Sequence, residues 1–262
     1  MNMTPPELPV RGPHLKLALL LGVAGALAAL ALSPYLLAVM PLKFALLPMP
    51  LWVALGAQAV QAGLLCWLLG WLGLFLGAHH QLDAPWLRAW VYRQPRPSFR
   101  PQRWWLAALL GVLVALLIIS IDLIASHGPT GTSAHASFGA AWRGGLASFY
   151  GGIVEETECR LFLVSLFVWL LAWTNQRQAK PWMFIVAIVL AALLFGAAHL
   201  PAAFAMGMAH TPLVIGRIVL LNALVGLVTG SLFWKYGLEH AMLAHFCADL
   251  VLHVALPLIG AG

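Results

Sequence analysis

Apolar residues in this chain come in long, nearly unbroken runs that lack the polar stripe of a surface helix. About 20 such residues cross a bilayer as a helix, with a range of about 17–25. By that rule the runs near residues 16–40, 50–78, 105–125, 145–173, 182–200, 213–234 and 238–258 predict seven spans. The first two are long and carry Pro34, Pro41, Pro48 and Pro50, so an eighth span or a tilted pair fits the same pattern. No internal repeat is visible. Two polar stretches punctuate the runs. Residues 79–103 are basic, aromatic and Pro-containing, and read as an ordinary membrane-surface loop, with contact to anionic lipid as the functional alternative. Residues 126–145 are polar and Gly-rich, and His127 and His135 within them are expected to be solvated.

Composition agrees with the pattern. The chain is 62% hydrophobic and 8% charged with mean hydropathy +0.91, against about 25% charged residues in soluble domains. This excludes a soluble enzyme and predicts an all-α, polytopic transmembrane helix bundle of seven to eight spans. The net charge of +6 would suggest nucleic acid in a soluble protein; here a topology count explains it. With the N-terminus in the cytoplasm, Arg11, Lys16, Arg88, Arg93, Arg96, Arg100, Arg103, Arg177, Lys180 and Lys235 fall inside. Only Lys43, Arg143 and Arg217 fall outside. That bias predicts the cytoplasmic (inner) membrane, an N-terminus inside and no nucleic-acid partner. Trp104, Trp105, Trp169, Trp173 and Trp182 flank the basic loops, where aromatic belts belong. Arg11 and Lys16 ahead of an apolar run imitate a signal peptide, but no convincing cleavage site follows, so the run reads as an uncleaved span. Cys66, Cys159 and Cys247 all lie in apolar segments and imply no disulfide.

One stretch violates the apolar rule. The fourth span carries Glu155, Glu156, Glu158 and Arg160 in front of the run from Leu161 to Leu171. Each ionisable group at bilayer depth costs roughly 2.5–3.5 kcal/mol on the insertion scale. Glu156 and Arg160 are i, i+4 with the acid first, which suits an ion pair. On an α-helix Glu155 lies about 100° away and shares a face with Glu158 and Cys159. It is left to face something else, unless all four charges form one structural network.

Later spans supply candidates. His199 stands at the predicted outer end of the fifth, before Pro201, and alone reads as a capping residue. His245 and Asp249 share a face of the last span at i, i+4, which suits two metal ligands or a histidine oriented by a carboxylate. His253 continues that face. Lys235, Glu239 and His240 fall at the predicted cytoplasmic end and are expected to be solvated. Glu155, His199, His245 and Asp249 are costly on apolar helices unless they converge. Convergence would make a water-activating site, with Glu155 as base and the histidines binding a metal or an oxyanion.

Glu155-Glu156-x-x-x-Arg160, Phe195-x-x-x-His199 and His245-x-x-x-Asp249 together resemble the CPBP (CAAX protease and bacteriocin-processing, or Abi) family of intramembrane proteases. Gly226 to Phe233, Gly237-Leu238 and Ala241 to His245 carry the likeness further, over roughly residues 145–255. The resemblance implies a CAAX-prenyl-endopeptidase-like bundle. Residues 1–144 would be N-terminal transmembrane helices with a basic cytoplasmic loop, and residues 145–258 the catalytic core. It implies Glu155 as the activator of water, His199 and His245 as its assistants, and Asp249 where many members have Asn. The partners would be the lipid bilayer and a membrane-embedded or membrane-associated protein or peptide substrate. The cofactor expectation is either one divalent metal such as zinc, with His199 and His245 as candidate ligands, or none.

Two departures stand out: Glu158 and Cys159 replace apolar residues, and Asp249 replaces Asn. Glu158 would either repel Glu155 or compete with Glu156 for Arg160. The rival reading is a non-catalytic membrane immunity, maturation or scaffold protein retaining the fold; a transporter lacks the expected broken paired repeats. The predicted boundaries also separate His199 and His245 by about 15 Å in depth at about 1.5 Å per residue. A shared site requires either a fourth span extended into the cytoplasm or a helix that ends below the surface at Pro201.

Overall fold

The computed structural model describes residues 14–95, 97, 102–125 and 136–260. Arg11, Arg96, Arg100, His127 and His135 lie outside the described residues. Among the described residues all regular structure is helical.

Six helical stretches are long and apolar enough to cross a membrane: Leu15–Val39, Leu51–His80, Trp104–Ile124, Pro181–Ala205, Pro212–Tyr236 and Leu238–Leu258. They are built from α1 (Leu15–Val39), α3 (Leu51–Gly77), α5 (Trp104–Ala125), α8 (Pro181–Ala198) with α9 (Leu200–Ala205), α10 (Pro212–Tyr236), and α11 (Leu238–Leu250) with α12 (Leu256–Leu258). The chain is an integral membrane protein. The expected fourth span is a seventh long helix that fails the apolar test because of its charges. It comprises α6 (Phe138–Tyr150), π-helical turns over Gly151–Glu155 and Thr157–Val164, and α7 (Ser165–Trp173). The proline-rich segment after α1 forms only the five-residue α2 (Pro41–Ala45), too short to cross.

The charged helix is central because its neighbours bury it from several sides. α1 packs on α3 and α6, α3 packs on the π-helical turn 157–164, and α8 and α11 close the opposite sides. Small residues permit this approach, as is usual where lipid supplies no hydrophobic drive between helices. A Cβ on Gly73 of α3 would stand 2.3 Å from the Leu161 carbonyl oxygen. Leu17, Leu21, Leu74, Leu161, Val164 and Val168 fill the seam around it. At the end remote from the basic loop, Arg217 of α10 is paired with Asp122 of α5.

The basic loop departs from expectation. It contains α4 (Pro85–Val91), whose N-terminus is capped from a distance: Glu239 Oε1 accepts the N–H groups of Trp86 and Leu87 at 2.8 and 2.7 Å. Asp83 holds Arg88 at 2.5 Å, and Arg88 donates to Nδ1 of His14 at 3.1 Å. His240 is buried, stacks on Trp104 at 4.1 Å and accepts the Arg103 N–H. Solvation of Glu239 and His240 is therefore overturned. α4 leaves its first N–H groups unpaired, and the start of α11 is the nearest source of acceptors.

Candidate active site

The site starts at a glycine pair. Gly151 and Gly152 carry no side chain to hold the backbone in α-register, and the helix widens there into π-turns. A π-turn inserts an extra residue and re-aims the side chains after it, often at functional sites. Glu155 remains within electrostatic range of Glu158 and Cys159, the residues expected to share its face. Gly151 also faces α11 so closely that an added Cβ would lie 2.4 Å from Asp249 Oδ2 and 3.0 Å from His245 Nε2.

Glu156, fully buried, has two partners. Its Oε1 accepts the Nδ1–H of His245 at 2.7 Å, and its Oε2 lies 3.3 Å from Arg160 Nε. Glu156 and Arg160 pair as the spacing predicts, and the pair reaches further than expected because it also fixes the histidine ring. The Arg160 guanidinium lies over the Phe195 ring at 4.5 Å. Phe195 makes T-shaped ring contacts with both histidines, with centroids 4.7 Å from His199 and 5.6 Å from His245.

That single ring resolves the depth problem. α8 ends at Ala198, but α9 resumes at Leu200 and carries the span to Ala205, so His199 stands well before the end of the span. The charged helix runs unbroken from Phe138 to Trp173, far longer than the roughly 20 residues a crossing needs. The outer position expected for His199 came from ending its span too early. Its Nδ1–H donates to the Phe195 carbonyl at 2.8 Å, because a carbonyl can only accept, and this leaves Nε2 for a ligand.

Around Nε2 of His245 stand Glu155 Oε2 at 3.6 Å and Asp249 Oδ1 at 3.8 Å, both carboxylates part-exposed. Glu155, His245 and Asp249 thus meet directly, and His199 joins them through Phe195. His253 lies within electrostatic range of His199, His245 and Glu155. Glu158 stands within electrostatic range of Glu155, of Tyr150 of α6 and of Cys66 of α3. It forms no ion pair among the described residues and does not compete for Arg160.

A metal would have to draw on this set. Nδ1 of both histidines is bonded within the protein, which leaves each Nε2 as the ring atom a metal would use. Among the described residues no group of three or more His, Cys, Asp and Glu side chains is gathered to hold an ion, and catalytic zinc takes three protein ligands.

Two participants escaped the sequence reading. Phe195 was visible in its motif but had no assigned role. Tyr35 of α1 packs its ring against His253 with centroids 5.9 Å apart. Its only sequence signal is a lone phenol in an apolar run.

A family model described as type II CAAX prenyl endopeptidase, Rce1-like, matches residues 137–251. Comparisons with curated proteins and with solved structures return no match.

Proposed function

Residues 137–251 place this chain in the CAAX protease (CPBP) family of membrane endopeptidases, and from that premise we propose that it hydrolyses a peptide bond of a membrane-embedded or membrane-associated protein with water activated by Glu155. The observation that carries this reading is the meeting of Glu155, Asp249 and Nε2 of His245 beside Gly151. Polar atoms at these separations can share one water about 2.8 Å from each.

Glu155 takes a proton from that water as the water oxygen adds to the substrate carbonyl carbon. The carbonyl oxygen becomes an oxyanion and receives a hydrogen bond from Nε2–H of His245, whose ring, also donating Nδ1–H to Glu156, acts as the imidazolium. Glu156 keeps the ring aimed by accepting Nδ1–H, and Arg160 offsets the carboxylate's charge. His199 approaches from the other side of Phe195 and presents Nε2. On collapse the C–N bond breaks, the leaving amine takes the proton from Glu155, and the acid product keeps the water oxygen. Donors fixed before reaction lose little in reorganisation as charge develops. The positive-inside bias supports the cytoplasmic (inner) membrane and an inside N-terminus.

The test uses the purified chain in proteoliposomes with a quenched fluorogenic peptide bearing a lipidated cysteine followed by three C-terminal residues. Glu155→Gln is expected to lower kcat/KM by at least about 100-fold, the lower end of what a general base contributes, with unchanged thermal stability. Undiminished cleavage by Glu155→Gln sinks the assignment. Loss of activity together with a stoichiometric metal in chelator would instead establish the metal-dependent form. A folded chain that cleaves nothing favours the non-catalytic immunity or scaffold reading.

A further inference from the structure

The polar cluster does not end where the family match ends. Tyr35 and His253 both lie outside residues 137–251, yet they meet beside the site. His253 is presented by another π-helical turn, Val251–Ala255. Tyr35 reaches it from α1 and stands within electrostatic range of Asp249. Both are part-buried. Among the described residues neither the Tyr35 hydroxyl nor a ring nitrogen of His253 has a hydrogen-bond partner.

Both side chains are part-exposed, so a ligand's polar atoms can reach them, and lipid offers no hydrogen-bond partner in its place. Two such groups side by side at the edge of a cluster are suited to polar atoms brought in by a ligand. An approach for one is present. An open groove of roughly 430 Å³ is lined by Leu36, Met40 and Phe44 on one side and Pro201 and Ala202 on the other, with Lys43 along it. Its lining starts at Leu36, the residue after Tyr35 on α1, and at Pro201, two residues past His199.

Resting on the proposed peptidase reading, we infer that His253, steadied by Tyr35, is a substrate-binding group that donates to a backbone carbonyl of the peptide next to the scissile bond. The groove receives the apolar flank of the same peptide. α1 thereby contributes to specificity, and the matched segment alone is an incomplete binding site.

The test is binding of an uncleavable probe to the full chain. The probe is a dansyl-labelled form of the lipidated peptide with a ketomethylene isostere at the scissile bond, titrated in nanodiscs. His253→Leu is expected to raise Kd about tenfold and Tyr35→Phe about threefold. His253→Gln, which keeps a donor of similar reach, should stay within about threefold of the unsubstituted chain. On the cleavable peptide the same variants should raise KM and change kcat by less than about threefold. Equal probe affinity in His253→Leu overturns the inference, as does a fall in kcat at unchanged KM, or equal weakening by His253→Gln. An unsubstituted chain that binds the probe but cleaves nothing refutes the peptidase reading and leaves this subsite standing. One that does not bind the probe overturns the subsite whatever the cleavage result.

Discussion

Glu156 holds His245. One oxygen of its buried carboxylate accepts the Nδ1–H at 2.7 Å while the other lies 3.3 Å from Nε of Arg160. Two adjacent glutamates on one helix therefore have different work: Glu156 faces protein on both sides, and Glu155 is part-exposed towards the space a water would take.

The first prediction separates them. Glu156→Gln leaves Arg160, 1% exposed, without its countercharge. Removing one partner of a buried pair costs about 3–5 kcal/mol. Thermal unfolding should show a large loss in Glu156→Gln and almost none in Glu155→Gln, while both lose peptidase activity. Equal stability of the two variants would contradict the division of roles.

Gly151 tests the packing of the site. In Gly151→Ala the new methyl must displace Asp249 Oδ2 and His245 Nε2. A misplacement of about 1 Å at reacting groups can cost about 100-fold in rate. We expect activity to fall by that order in a protein that still runs as a folded, monodisperse species in detergent. Full activity in Gly151→Ala would show that these groups are not held where chemistry occurs.

Phe195→Leu removes the ring between Arg160 and the two histidines. A cation over an aromatic face is worth about 2 kcal/mol when desolvated, and the leucine leaves a gap. Lower thermal stability and a lower kcat are expected together. Phe195→Tyr, which keeps the ring, should retain most of both.

The basic loop should respond to pH through His14. Burial, then the neighbouring Arg88 guanidinium, holds its imidazole below the ordinary histidine range, against a smaller opposing pull from Asp83. The folded state therefore binds a proton less readily than the unfolded chain, and stability falls as pH drops through about 6.5, the ordinary value. Only a neutral Nδ1 can accept from Arg88. Amide exchange at the starts of α1 and α4 should quicken between pH 7.5 and 5.5, and His14→Asn should flatten that dependence. An identical pH response in His14→Asn would remove the histidine from the explanation.

Glu239 gives a local stability test. Its carboxylate accepts both Trp86 and Leu87 N–H groups, and loss of a helix cap costs about 0.5–2 kcal/mol. Glu239→Ala should speed exchange at those two amides with little effect on peptidase kinetics.

The sequence by itself determined the membrane bundle, because lengths of apolar chain and the cost of exposed backbone in lipid leave helices as the economical solution. It also singled out Glu155, Glu156, Arg160, His199, His245 and Asp249, since charges on apolar helices stand out one by one. What it could not set was their depth and aim. The π-helical turns over Gly151–Glu155 and Thr157–Val164 depart from the plain α-helix that the spacing suggested. Glu239 and His240 looked solvated because their partners, Trp86, Leu87, Arg103 and Trp104, are remote in sequence and meet them only when the helices assemble. His253 shares the His245 face by local spacing, but the Tyr35 ring that meets it comes from α1, about two hundred residues away, and only tertiary packing brings the two together.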